Sequence, residues 1–137
     1  MANALYPKAK ESFINAHINM SANTITIALV DTGVYTFSTS HQYRSEVSNS
    51  AVISSTALSN KTVTSGVFDA DDATFTSVTG ANCEALLIFQ DTGVQTTSRL
   101  IAYIDSATGL PILPNGGDIT VVFSSGASKI FALYKNN

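Results

Sequence analysis

Residues 24–34 read TITIALVDTGV and residues 84–94 read EALLIFQDTGV, so an apolar run ends in Asp-Thr-Gly-Val twice, with Asp31 and Asp91 60 positions apart. In the first copy Ile25, Ile27 and Leu29 alternate with Thr24, Thr26 and Ala28, the period of two that marks a half-buried strand. The second copy is a dense apolar run of strand length. After each run the Asp side chain can accept backbone N–H bonds, Gly33 and Gly93 permit positive φ, and β-branched neighbours resume a strand. The repeated tetrapeptide therefore reads as a turn that closes a strand.

A second reading is chemical. Two Asp-Thr-Gly copies are the material of an aspartic-protease dyad, in which two carboxylates share one proton and divide the acid and base roles. In families of that kind the triplet is followed by Ala or Ser, and a separate hydrophobic-hydrophobic-Gly element locks the catalytic loop. Here Val34 and Val94 follow, no segment supplies such an element, and 60 residues are too few for a two-lobed enzyme. The turn explains the repetition with fewer assumptions, and no enzyme activity is expected.

Working outward, strand-like patterns recur at 34–37 (VYTF), 51–58 (AVISSTAL), 61–68 (KTVTSGVF) and 73–78 (ATFTSV). They continue at 99–105 (RLIAYID), 118–123 (DITVVF) and 129–134 (KIFALY). Only the stretch from Tyr6 to Ile18 has helical periodicity, in Ala9, Phe13, Ile14 and Ile18, with Pro7 at the first helical position where its missing N–H costs nothing. Nine or ten strands with short turns and no crossover helices predict a mainly β protein. The expected architecture is an antiparallel β-sandwich or barrel-like domain with one N-terminal helix.

The 137 residues suit one domain, 1–137, with no linker composition to divide it. Charged residues are 12% of the chain and Ser plus Thr outnumber them about two to one, which fits strands with hydroxyl-rich outer faces. The net charge is −3 with no Lys/Arg cluster, so no nucleic-acid partner is expected. The N-terminus MANALYPKAKESF lacks the apolar core of a secretory signal, and no run reaches membrane-spanning length. A soluble protein made in the cytoplasm, without a membrane partner, is the expectation.

Metal and cofactor chemistry finds little purchase. Cys83 is the lone cysteine and reads as a small apolar side chain. The run Asp69 to Asp72, DADD, opens like a calcium loop, but Thr74 stands where that loop needs Gly and Gly80 where it needs Glu. His17 and His41 have no second ligand at metal spacing. PNGGD (114–118) lacks the Lys and following helix of a phosphate cradle. No cofactor or metal is expected.

Two connections are long: HQYRSEVSNS (41–50) and SATGLPILPNGG (106–117), the latter with Leu110, Ile112 and Leu113 between Pro111 and Pro114. That loop either tucks into its own core or offers apolar surface to another chain.

Taken in order, NALYPKAKESFINAHINM (3–20), LSNKTVTSGVFDADDATFTSVTG (58–80) and SRLIAYIDSATGLPILPNGGDITVVF (98–123) are similar to a family of small virion proteins encoded by tailed bacteriophages. The resemblance spans nearly the whole chain, and SGVFDADDATFT and YIDSATGLPILPNGGDITV are its most specific parts. It implies a structural component of the phage particle, carried over here as a capsid cement or decoration protein on the outer surface of the head. The implied partners are the major capsid protein and further copies of the same chain as a homo-oligomer on the particle. No catalytic residue is transferred.

Such a protein stabilises the assembled shell by binding it and not the free subunits, about 2.7 kcal/mol at a hundredfold excess over the dissociation constant. Several attachments per molecule multiply retention, and an acidic balance suits the outside of a shell filled with DNA. A stable contact needs on the order of 800 Å² per partner. The candidate contributors are Leu5, Tyr6, Phe13 and Ile14 on the helical segment and Leu110, Ile112 and Leu113 on the long loop. The alternative is a tail or fibre module that binds a host glycan, although no Trp and five scattered Tyr offer such a site little platform.

Overall fold

The computed structural model describes residues 3–106, 109–123 and 130–132. Its elements in chain order are β1 (Ala4–Leu5), α1 (Pro7–Ile14), β2 (Ile25–Val30), β3 (Val52–Ala57), β4 (Thr62–Thr64) and β5 (Val67–Asp69). They continue with β6 (Ala73–Phe75), β7 (Ala85–Gln90), β8 (Leu100–Ile104), β9 (Ile119–Val121) and β10 (Phe131–Ala132). The protein is mainly β, with antiparallel pairing in all three sheets and one α-helix near the N-terminus. The largest sheet has the order β1-β8-β7-β2-β3, beside a three-stranded sheet β10-β5-β4 and the pair β6-β9.

The two apolar runs that carry the repeated tetrapeptide lie side by side as β2 and β7 in the middle of the large sheet, from Ile25↔Gln90 to Val30↔Ala85. All six residues of each strand are buried. β2 is thus not half-buried, as its alternation with Thr suggests, but covered on both faces. Ile25, Ile27, Leu29 and Ile88 face one core, completed by Phe68, Phe75 and Val78 from the smaller sheets and their loops. Ala28, Val30, Leu87 and Phe89 face a second core, filled by Tyr6, Ala9, Tyr35, Val47 and Ala51. The central sheet is the middle of three layers, and each fully buried Ile or Leu in it is worth about 1.5–3 kcal/mol.

Thr26, on the second face, is only 5% exposed, and its hydroxyl is satisfied by Asp91 Oδ2 at 3.4 Å. The loop of residues 41–50 closes the same layer. Arg44 lies under it, donating to the Val47 carbonyl at 2.6 Å with its guanidinium 5.7 Å from the centre of the Phe89 ring.

Helix α1 packs on β8, anchored where Tyr6 N–H donates to the Ile101 carbonyl and where Arg99 donates to Ser12 Oγ at 3.1 Å. It begins at Pro7 but ends at Ile14, four residues short of the expected Ile18, because Ala16 turns left-handed at φ 60° and stops the repeat. Ile18 reaches the first core from the loop beyond.

Two further expectations shift. Residues 34–37 form no strand, since the N–H groups of Val34 and Tyr35 both bond back to the Asp31 carbonyl and are lost to a ladder. Residues 61–68 are not one strand but the hairpin β4–β5, folded at Ser65 (φ 51°) and Gly66 (φ 78°), the paired left-handed conformation of a tight hairpin turn. Of the run 129–134, Phe131 and Ala132 pair with β5 as β10, and residues 129, 133 and 134 lie outside the described residues.

Candidate functional site

Both Asp-Thr-Gly segments are turns. Asp31 Oδ1 accepts the Gly33 N–H at 2.8 Å, and Asp91 Oδ1 accepts the Gly93 N–H at 2.9 Å. Gly93 takes the expected positive φ of 85°, but Gly33 does not; there a Cβ would stand 3.0 Å from Asp31 Oδ1. Because β2 and β7 are antiparallel, Asp31 follows one end of the sheet and Asp91 the other. Six residues of strand at roughly 3.4 Å each separate them by about 20 Å, too far to share a proton.

The carboxylate that does meet the first turn is Glu84, one residue before β7. Its Oε1 accepts both the Thr32 N–H at 3.0 Å and the Thr32 hydroxyl at 3.2 Å. Beside this contact the loop after β2 and the end of β8 enclose an open cleft of about 350 Å³. Thr32, Thr36 and Glu84 line one side, with Tyr103 and Asp105 from the end of β8, and Tyr35 and Phe37 complete the wall. No Lys, Arg or His is among the lining residues.

Three of the five tyrosines that look scattered in the sequence, Tyr6, Tyr35 and Tyr103, gather here. The Tyr6 ring centre is 4.8 Å from Phe37, Phe37 is 5.3 Å from Tyr103, and Tyr35 is 6.1 Å from Tyr103. The Tyr35 hydroxyl sits 2.8 Å from that of Tyr6 and 2.8 Å from His41 Nδ1. Burial pushes the Tyr35 phenol up to about 12 against the lowering effect of its bond to Tyr6, and burial followed by the Tyr35 bond raises Tyr6 as well. Tyr103 is raised first by burial and then by the negative charges of Asp105 and Glu84. The Cys83 thiol is pushed up to about 11 by burial, then by Glu84 and Asp31. This end of the sheet carries a negative field, and its phenols stay protonated at neutral pH.

The candidate contact residues divide sharply. Ile14 is 85% exposed and Leu113 is 73% exposed, whereas Leu5, Phe13, Leu110 and Ile112 are half-buried against the first core. Tyr6 is fully buried, its ring in the second core and its hydroxyl bonded to Tyr35, so it offers no surface to a partner in this fold. The long loop does both things the sequence allowed. Ile112 pairs through its backbone with Cys83, at 2.8 Å in each direction, and Leu113 points outward.

Ile14 and Leu113 sit at opposite ends of the sheet. α1 runs toward the Gln90 end, where Gln90 Nε2 donates to the His17 carbonyl at 2.9 Å, and the Leu113 loop is fixed at the Cys83 end.

The remaining motifs serve the scaffold. Asp71 accepts from Asn60 Nδ2 at 2.6 Å, Asp72 accepts the Phe123 N–H at 2.9 Å, and Asn115 Oδ1 caps Gly117 N–H at 3.0 Å. Among the described residues no three His, Cys, Asp or Glu side chains are grouped to hold a metal ion, and no helix is long and apolar enough to cross a membrane. Compared with known proteins, the chain matches no family model and no curated sequence.

Proposed function

We propose that this chain is a structural virion protein of a tailed bacteriophage, a cement protein that binds the outer surface of the assembled head and joins neighbouring copies of the major capsid protein. The observation that carries this reading is the pair of large apolar side chains, Ile14 and Leu113, exposed at opposite ends of a sheet whose two cores are already filled. A single exposed apolar side chain is ordinary on a protein surface, so the reading rests on where these two stand and not on their exposure alone. Two attachment points at the ends of a stiff body suit a clip across two subunits, because linking weak contacts multiplies retention without new chemistry at either one.

The test is binding of the purified protein to heads that lack it, with copy number counted by quantitative gel densitometry. Several hundred copies per particle, lost when Leu113 is replaced by Asp, would support cementing. Three to a dozen copies would move the protein to the tail. Failure to bind heads at all would end the proposal.

A tail or fibre module for a host glycan is the second reading. What favours it is the cleft, where aromatic rings and two carboxylates meet. Against it, Tyr35 and Tyr103 are 3% and 4% exposed, so their rings are spent on packing and present no open face for a sugar.

A further inference from the structure

We infer that the cleft between the loop after β2 and the end of β8 is a socket for one cationic side chain, an arginine guanidinium or a lysine ammonium, projecting from a partner polypeptide. Its volume, about 350 Å³, is at the small end of ligand sites and suits a single long side chain. Glu84 commits Oε1 to Thr32, while among the described residues Oε2 has no hydrogen-bond partner. Tyr103, 96% buried by its 4% exposure, lines the cleft, and its hydroxyl likewise has none. Asp105 adds a second carboxylate to the lining.

Other occupants fit less well. An anion would meet two carboxylates and no basic side chain. A neutral apolar group would strip water from those carboxylates without replacing its hydrogen bonds. A sugar would find two of the three lining rings, Tyr35 and Tyr103, covered and Phe37 half-buried, and a metal lacks a third grouped ligand among the described residues. A guanidinium or ammonium satisfies the free carboxylate oxygen with charge-assisted bonds, and its alkyl stem finds Phe37 in the same wall. The neighbouring charges that raise the Tyr103 phenol are the same field that would attract it.

The socket also lies where a partner would arrive. Glu84 follows Cys83, whose backbone holds Ile112, so the cleft and the exposed Leu113 share one end of the sheet. Identifying the polypeptide as a capsid subunit rests on the proposed function; the chemistry of the cleft does not.

The experiment titrates the full chain, labelled with nitrogen-15, with N-acetyl-arginine amide and N-acetyl-lysine amide, using N-acetyl-glutamine amide and a neutral disaccharide as controls. The expected result is saturable shifts at Thr32, Glu84 and Tyr103 with a dissociation constant roughly in the millimolar range. Salt should weaken the response, and Glu84→Gln should weaken it by about tenfold. The Gln amide oxygen can still accept from Thr32, so this variant keeps the loop in place, and Asp105→Asn provides a second variant. No shift with either cation, or an equal shift with the glutamine control, overturns the socket. A response to the disaccharide alone overturns it in favour of a sugar site. Capture of the wild-type protein by heads is read separately: arginine binding without head capture would keep the socket and remove the capsid reading.

Discussion

Asp31 and Asp91 cap antiparallel neighbours from opposite ends, each accepting the N–H of the glycine two residues on. The same four letters therefore do the same local work twice, about 20 Å apart along the sheet. Replacing Asp31 by Ala should cost about 0.5–1.5 kcal/mol, the worth of one such bond, and replacing Asp91 should cost more, because it also leaves the buried Thr26 hydroxyl unpaired. In urea unfolding the double variant should lose the sum of the single losses to within about 0.5 kcal/mol, since distant sites add. Strong coupling between the two would contradict this geometry.

The glycines of these turns are required for different reasons. At Gly93 the constraint is φ, 85° with nothing within 4 Å of an added Cβ, so Gly93→Asn should be less damaging than Gly93→Ala because Asn tolerates the left-handed region. At Gly33 the constraint is space beside Asp31 Oδ1, and Asn should be no better than Ala. Melting temperatures of the four variants decide the matter, with Gly93→Ala expected to lose about 1–2 kcal/mol.

The phenol pair gives the protein an alkaline limit. Tyr6 and Tyr35 both have folded-state pKa values above the unfolded value near 10, so their contribution is fully present below about pH 10 and is lost as pH rises further. Tyr6→Phe should cost about 1 kcal/mol at neutral pH by removing the bond to Tyr35. It should also flatten the decline in melting temperature above about pH 10, and an unchanged slope would show that Tyr6 is not its source.

On the long loop, neighbouring residues should behave oppositely. Ile112→Asp places a charge against the first core and should destabilise the domain by more than about 2 kcal/mol. Leu113→Asp, at an exposed position, should stay within about 0.5 kcal/mol of the parent. Denaturation of the isolated proteins checks both, and makes Leu113 the cleaner probe of particle binding.

The central strands were legible because β-branched and apolar residues recur with the right period, and EALLIFQ even betrays burial on both faces through its unbroken run. TITIAL conceals the same burial, since Thr26 looks like a surface residue until Asp91 arrives to satisfy its hydroxyl. The early stop of α1 rests on the conformation of Ala16, a residue whose propensity favours continuing. The cleft was illegible for another reason. Glu84, Tyr35 and Tyr103 come from three distant segments and meet only through the register that sets Leu87 opposite Tyr103. A Ser-Gly pair at 65–66 was, by contrast, a readable hairpin signal hidden inside a run of strand-forming residues.

Tyr6 has a consequence for how the chain comes off the ribosome. It is synthesised long before its partners: its N–H bonds to the Ile101 carbonyl and its ring packs beside Phe37, itself against Tyr103. At about 5–20 residues per second, the leading segment must wait some 5–20 s for its seat to be made. Until then the second core stands open on one side, so nascent chains are most prone to sticking in the interval before residues 101–103 emerge.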